Sequence, residues 1–347
     1  MEPMLFVSVF LILIHVSMSE KLISKGLINE LLINDRNIIN NSINQPIKKS
    51  LIIVGQYRSG SSFTGELFSS FPSSFYYFEP FHPFKNNSVP VNETGIRLIN
   101  GFINCNFDIL IRNNEWKGMR WSLKKELVNM VDPLSDSDAN YDVKVIKTEY
   151  PLMRLKSRCK ESKGIIMKAI RLRMNLVEEY FNHNSHKTSM ENLHVILLIR
   201  DPRGIINSRM SFTACKKRPD CLNASKLCNQ MRNDYLIYKR LKKKFPKNVH
   251  LVKFEHLVKN PKRVSFDLFK KIGFEVTPKL DAFINLHTKV NNLTVNLVKG
   301  HPFNTFRESK TVVKKWQTKL GRKVIRRIEK DCSEFLDLLN YEKVFFH

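Results

Sequence analysis

Residues 50–68, SLIIVGQYRSGSSFTGELF, restrict the fold more than any other stretch. The run at 51–54 is short, wholly apolar and mostly β-branched, which predicts a strand buried on both faces. A turn follows, with Gly55, Gly60 and the hydroxyls of Ser59, Ser61 and Ser62. From about Ser61, the residues Phe63, Leu67 and Phe68 recur at helical spacing. A strand, a Gly/Ser turn and a helix N-terminus in succession make an anion site. Unpaired backbone N–H groups and the positive end of the helix dipole meet at one place. The spacing invites comparison with the nucleotide-binding loop G-x-x-x-x-G-K-[ST]. Gly55 and Gly60 match it and Ser62 takes the Ser/Thr place, but Ser61 stands where the lysine belongs. That lysine grips a triphosphate chain, so its absence argues against an ATPase or kinase. Arg58 supplies a cation earlier in the loop. The plain alternative is an empty strand-to-helix turn; an arginine among small and hydroxyl residues speaks for a bound oxyanion.

At 347 residues the chain has room for one sizeable domain or two small ones. Lys plus Arg number 58 against 32 for Asp plus Glu, a net charge of +26. That excess concerns partners rather than fold, and suits nucleic acid, an anionic membrane or an acidic polymer. The basic residues are scattered, with knots at Lys216–Arg218 and Lys242–Lys244, and read equally as solvated helix faces. Residues 4–18 form an apolar stretch, short for a membrane span of about 20 residues and without basic flanks. Ser17 and Ser19 are spaced like a signal-cleavage site. Either an anchor or a signal sends the rest of the chain into the secretory pathway. Sequons at Asn40, Asn86, Asn92, Asn223 and Asn292 agree with that route. The six cysteines allow three disulfides in 15 pairings. Cys215, Cys221 and Cys228 lack zinc-site spacing, so metal binding is not expected.

Residues 1–19 are thus a hydrophobic leader and 20–49, rich in Asn, Ile and Ser, a stem before one domain at 50–347. Further strands are expected around 75–78, at 164–170, at 194–199 and at 249–254, and helices after Pro202, through 266–272 and over 322–337. Residues 84–145, with Trp116 and Trp121, read as irregular cover for one mouth of a site. Apolar strands alternating with helices predict an α/β fold, a mostly parallel sheet flanked by helices. Ligands of such sheets lie beyond the carboxyl ends of the strands. Arg58, Glu79, Lys168 and Arg200 all fall at or just past strand ends, which predicts one composite anionic site. Asp201 reads either as a magnesium-binding strand-end carboxylate or as the cap of the helix that Pro202 begins. Arg200 and Arg203 make that corner cationic and favour the cap. Trp316 reads as core, and His82 as a loop residue and only a rival base.

These residues fall into a known pattern. RSGSSF at 58–63, FEP at 78–80 and LIRDPR at 198–203 with Ser208 and Arg209 resemble the Golgi carbohydrate 6-O-sulfotransferases. MKAIRLR at 167–173, VKFEHL at 252–257 with Pro261, and TFRES at 305–309 ahead of Lys315 and Trp316 extend the likeness in order. That family acts on galactose, N-acetylglucosamine or N-acetylgalactosamine in glycans such as keratan and chondroitin. The resemblance implies a P-loop-like, PAPS-dependent sulfotransferase fold and the donor 3′-phosphoadenosine-5′-phosphosulfate (PAPS). It also implies a type II Golgi membrane protein with a luminal catalytic domain, with secretion after signal cleavage as the alternative. By the same resemblance Arg58, Ser59, Gly60, Ser61, Ser62, Phe63 and Thr64 hold the 5′-phosphosulfate. Arg200 and Ser208 hold the 3′-phosphate, and Arg307 closes over the nucleotide. Glu79, an acid among aromatics, is the candidate base, and Lys168 the candidate aid to the leaving group. No metal is expected, because arginines suffice for a sulfuryl group, and no nucleic acid is expected as partner. Tyr57 departs from the tryptophan expected before the loop arginine. The rival reading is a secreted polyanion-binding protein with a degenerate nucleotide pocket.

Overall fold

A computed structural model describes residues 48–82, 84, 89–107, 150–288 and 309–345. Among the described residues five strands form one wholly parallel sheet in the order β2-β3-β1-β4-β5. They are β1 (Lys49–Gly55), β2 (Ser74–Tyr77), β3 (Gly164–Ala169), β4 (Leu193–Ile199) and β5 (Val249–Lys253). The central strands are apolar along their length because both faces are covered, and successive side chains go to opposite sides. Ile52, Val54, Val195, Leu197 and Ile199 enter one core, while Leu51, Ile53, Ile196 and Leu198 enter the other.

The second core is closed by α1 (Ser61–Ser69), through Phe63, Leu67 and Phe68. The first takes Ile96, Ile99 and Phe102 of α2 (Glu93–Ile103), Leu155 of α3 (Tyr150–Glu161), and Leu176, Val177 and Phe181 of α4 (Met174–Asn184). Pro202 opens α5 (Pro202–Met210), and two single helical turns lead to the long α6 (Ala224–Lys244). Beyond β5 lie α7 (Phe254–Lys259), α8 (Pro261–Ile272) and α9 (Pro278–Thr288). The chain ends with α10 (Ser309–Lys319), α11 (Arg322–Asp331) and α12 (Ser333–Leu338).

Two expectations need correction. The stretch 84–145 is not wholly irregular: Asn92 caps α2 by accepting from Thr94 N at 2.9 Å, and a buried stripe follows at helical spacing. The C-terminal helix is broken at Cys332, where a disulfide to Cys228 ties it to α6. The other pairs are Cys105–Cys159 and Cys215–Cys221. The leader, the stem, the two tryptophans and the sequons at Asn40, Asn86 and Asn292 lie outside the described residues.

Candidate active site

The loop after β1 is shaped by two left-handed residues, Arg58 (φ 70°) and Gly60 (φ 97°). A Cβ at Gly60 would lie 2.3 Å from Phe254 Cδ2, so only glycine lets the backbone pass over that ring. Gly60 is also the N-cap of α1 and offers no side-chain cap; the first turn carries no acid. The N–H groups at the start of α1 therefore lack both an intrahelical acceptor and a competing carboxylate. Two buried polar atoms of the loop, Gln56 Nε2 and Ser59 Oγ, have no hydrogen-bond partner among the described residues.

Cations from neighbouring strand ends gather around this loop. Arg58 Nε donates to Ser208 Oγ of α5 at 3.0 Å, and Arg200 Nη1 donates to the Arg58 carbonyl at 3.0 Å. The Arg200 guanidinium rests 4.4 Å above the Phe254 ring, the same ring that Gly60 crosses. Arg209 donates to Tyr57 O at 3.1 Å and Cys221 O at 2.9 Å, which fixes the loop from outside. Burial, with Arg173 nearby, pushes Arg209 down to about 10.

Lys168, opposite Ile53 in the ladder, joins the loop to a second group. Its Nζ lies 3.4 Å from Ser62 Oγ, 2.9 Å from Glu79 Oε1 and 3.4 Å from the centre of the Phe78 ring. Burial pulls the Lys168 pKa down, against the opposing pull of Glu79. Glu79 Oε2 is held by Arg171. The acid expected to stand among aromatics is thus clamped between two cations. One of them is sealed in, Lys168 at 2 % exposure, and the other is open, Arg171 at 23 %.

Arg58, Ser61, Ser62, Glu79, Lys168, Arg200 and Ser208 are thereby brought to one end of the sheet. Three assigned residues sit differently. Thr64 is wholly buried and turns its hydroxyl onto Gly60 O at 3.2 Å, where it holds the turn. The Phe63 ring packs in the core, so its backbone N–H is what it has to offer a ligand. Ser59 Oγ is buried beneath the loop. Arg307 lies outside the described residues. Asp201 is a helix cap, accepting from Arg203 N at 2.8 Å and paired with the Arg203 guanidinium. His82 is exposed on the loop, and Trp316 is buried. Among the described residues no group of three or more His, Cys, Asp or Glu is placed to hold a metal ion.

Sequence reasoning gave no role to Arg171 or Phe254. Arg171 stands three residues past Lys168 at the same strand end, a signal open to use. Phe254 gave none, because its ring matters through Gly60 and Arg200, both far away in the chain.

A sulfotransferase domain model matches residues 48–340. "Carbohydrate sulfotransferase 1" of Danio rerio is 24% identical, aligned over 87% of this chain and 80% of its own. "Carbohydrate sulfotransferase 5" of Mus musculus is 24% identical over 85% and 81%. Among solved structures, the sulfotransferase domain from the Synechococcus PCC 7002 olefin synthase is 14% identical, covering 87% of this chain and 98% of its own, at a TM-score of 0.47. The chain belongs to the sulfotransferase domain family, with its curated likeness among the carbohydrate sulfotransferases.

Proposed function

We propose that this protein moves a sulfuryl group from PAPS to the 6-hydroxyl of a sugar in a glycan or proteoglycan chain. The observation that carries the reading is the meeting of Arg58, Ser208 and Arg200 beside the uncapped start of α1. A donor with an anionic group at each end of its ribose needs two cationic places a few ångströms apart. The α1 N-terminus with Lys168 suits the 5′-phosphosulfate, and Arg200 with Ser208 suits the 3′-phosphate. The orphaned Gln56 Nε2 fits a loop built around a polar ligand.

In this reading the acceptor hydroxyl attacks sulfur as the bond from sulfur to the phosphate oxygen breaks. Glu79 takes the hydroxyl proton, and Arg58 and Lys168 face the charge that grows on the departing phosphate. Both Glu79 oxygens are engaged, so the acceptor displaces one partner; Arg171, the more exposed, is the one free to yield. Three disulfides suit a luminal, oxidising compartment, and the same reading puts the domain in the Golgi lumen.

Arg58→Ala is expected to abolish transfer of labelled sulfate to keratan- or chondroitin-type acceptors without lowering the melting temperature. Full activity in that variant would overturn the assignment. Calorimetry with 3′,5′-adenosine diphosphate separates this reading from a polyanion binder, for which no nucleotide heat is expected.

A further inference from the structure

At the opposite end of the sheet, between the starts of β4 and β5 and the ends of α6 and α8, lies a cleft of about 640 Å³. It is lined by Lys242, Lys247, Lys270 and Lys271, with His194 and His250 at its floor. His194 stands six residues before Arg200 in the chain, ~20 Å along an extended strand, so this is not the site described above.

The bland explanation is that lysines in the last turns of α6 and α8 complement the helix dipoles. The charges do not balance on that account. Two helix C-termini bring roughly −0.5 each, and among the described residues Glu191 is the one carboxylate in the lining. Against four lysines that leaves a surplus of about +2 before any imidazole is protonated. The surplus is felt inside the cleft, since burial and the repulsion of Lys271 both lower the Lys242 pKa. The floor is polar as well. His194 Nδ1 and His250 Nε2 are 3.2 Å apart, and each ring is more than nine-tenths buried. Four ammonium groups around a floor of two imidazoles bonded to each other match a tetrahedral oxyanion carrying further charge.

We propose that this cleft is a second oxyanion site, taking the sulfate or phosphate group of a small multivalent anion. It does not depend on the donor loop. A sulfated sugar and a free phosphate both present a tetrahedral oxyanion, and titration tells them apart.

The full-length protein, saturated with 3′,5′-adenosine diphosphate to fill the donor loop, is titrated by calorimetry with a fully sulfated tetrasaccharide and separately with inorganic phosphate. At least one is expected to bind. Binding by the sugar alone, or by phosphate too, supports the site and names its source. Lys242→Ala with Lys271→Ala is expected to weaken binding at least tenfold. Lys314→Ala with Lys315→Ala, an equal charge removed from an exposed helix face, is expected to change it less than twofold. No binding with the donor loop filled, or an equal loss from the two pairs in variants of unchanged melting temperature, would overturn the proposal.

Discussion

Gly60→Ala tests whether the donor loop is as tightly determined as its geometry implies. At φ 97° an alanine pays a left-handed penalty of ~1–2 kcal/mol. Its Cβ would also stand 2.3 Å from Cδ2 and 2.4 Å from Cε2 of Phe254. That ring is buried in the core, so it must shift or the loop must lift; overpacking of this kind costs ~1–3 kcal/mol. The two together come to ~2–5 kcal/mol. Part of it appears as lost stability. The rest appears as lost affinity, because a displaced Phe254 carries away the surface on which Arg200 rests. A loss of 30-fold or more in affinity for 3′,5′-adenosine diphosphate corresponds to about 2 kcal/mol of that total. Calorimetry and thermal melting read the two parts separately. Gly321→Ala is the control: nothing lies within 4 Å of its added Cβ, and a change of at most about 1 kcal/mol is expected. Wild-type melting and wild-type nucleotide affinity in Gly60→Ala would refute the reasoning.

Other perturbations probe the acid, the disulfides and the histidines. Glu79→Gln is expected to cut kcat by ~10²-fold or more while nucleotide affinity holds, and Arg171→Ala to raise KM for the acceptor with a smaller effect on kcat. A loss in Glu79→Gln that merely follows its melting temperature would reduce the residue to a structural role. Replacing Cys228 and Cys332 by serine opens a loop of sequence separation 104, worth ~4–5 kcal/mol in the chain-entropy account, against ~2 for Cys215 and Cys221, separation 6. Denaturant midpoints in the reverse order would contradict this. Burial pushes His194 and His250 down to about 4 from the ordinary 6.5, so between those values the unfolded chain binds more protons. Stability is therefore full above pH 6.5 and falls as pH drops toward 4, by up to ~3 kcal/mol per ring. Melting at pH 7.5 and 5.0 should differ less in His194→Gln/His250→Gln than in wild type, and equal differences would sink the assignment.

The sheet was legible because its central strands are buried on both faces, and unbroken apolar runs between turn residues are the plainest pattern a sequence carries. Arg58, Glu79, Lys168 and Arg200 could be gathered on paper for the same reason: each follows such a run. What stayed hidden depends on contacts between distant residues. Nothing in the sequence around α6 marks Asp234 as core, yet it is 4 % exposed, because Arg173 Nη1 and Met174 N reach it at 2.9 Å from another helix. α2 was missed because a short helix among sequons and prolines has too few turns to display its stripe. The engagement of Glu79 was hidden too, since Lys168 and Arg171 are about 90 residues further along the chain.

The corner bearing Arg200 is held in place from the far end of the chain. Asp201 N donates to Glu255 Oε1 at 2.9 Å, and Tyr341 donates to the other oxygen of that carboxylate at 2.9 Å. Arg203 spans Asp201 and Glu329, at 2.8 and 2.5 Å, and lies 4.1 Å over the Trp316 ring. Glu329 also accepts the backbone N–H groups of Val344 and Phe345, each at 2.9 Å. Removing two carboxylates and a guanidinium from water is unfavourable, and a packed apolar substitute would often be as stable. What the charges add is direction, because a bidentate guanidinium accepts one orientation of its partners where a methyl group accepts many. The segment 201–203 is thereby tied to three separate elements, through Glu255, Glu329 and Trp316, and the neighbouring Arg200 inherits that fixity without sharing those bonds. A site that must meet both ends of one donor needs its second cation held as firmly as its loop, and a buried ion network reaching residues 329–345 provides that.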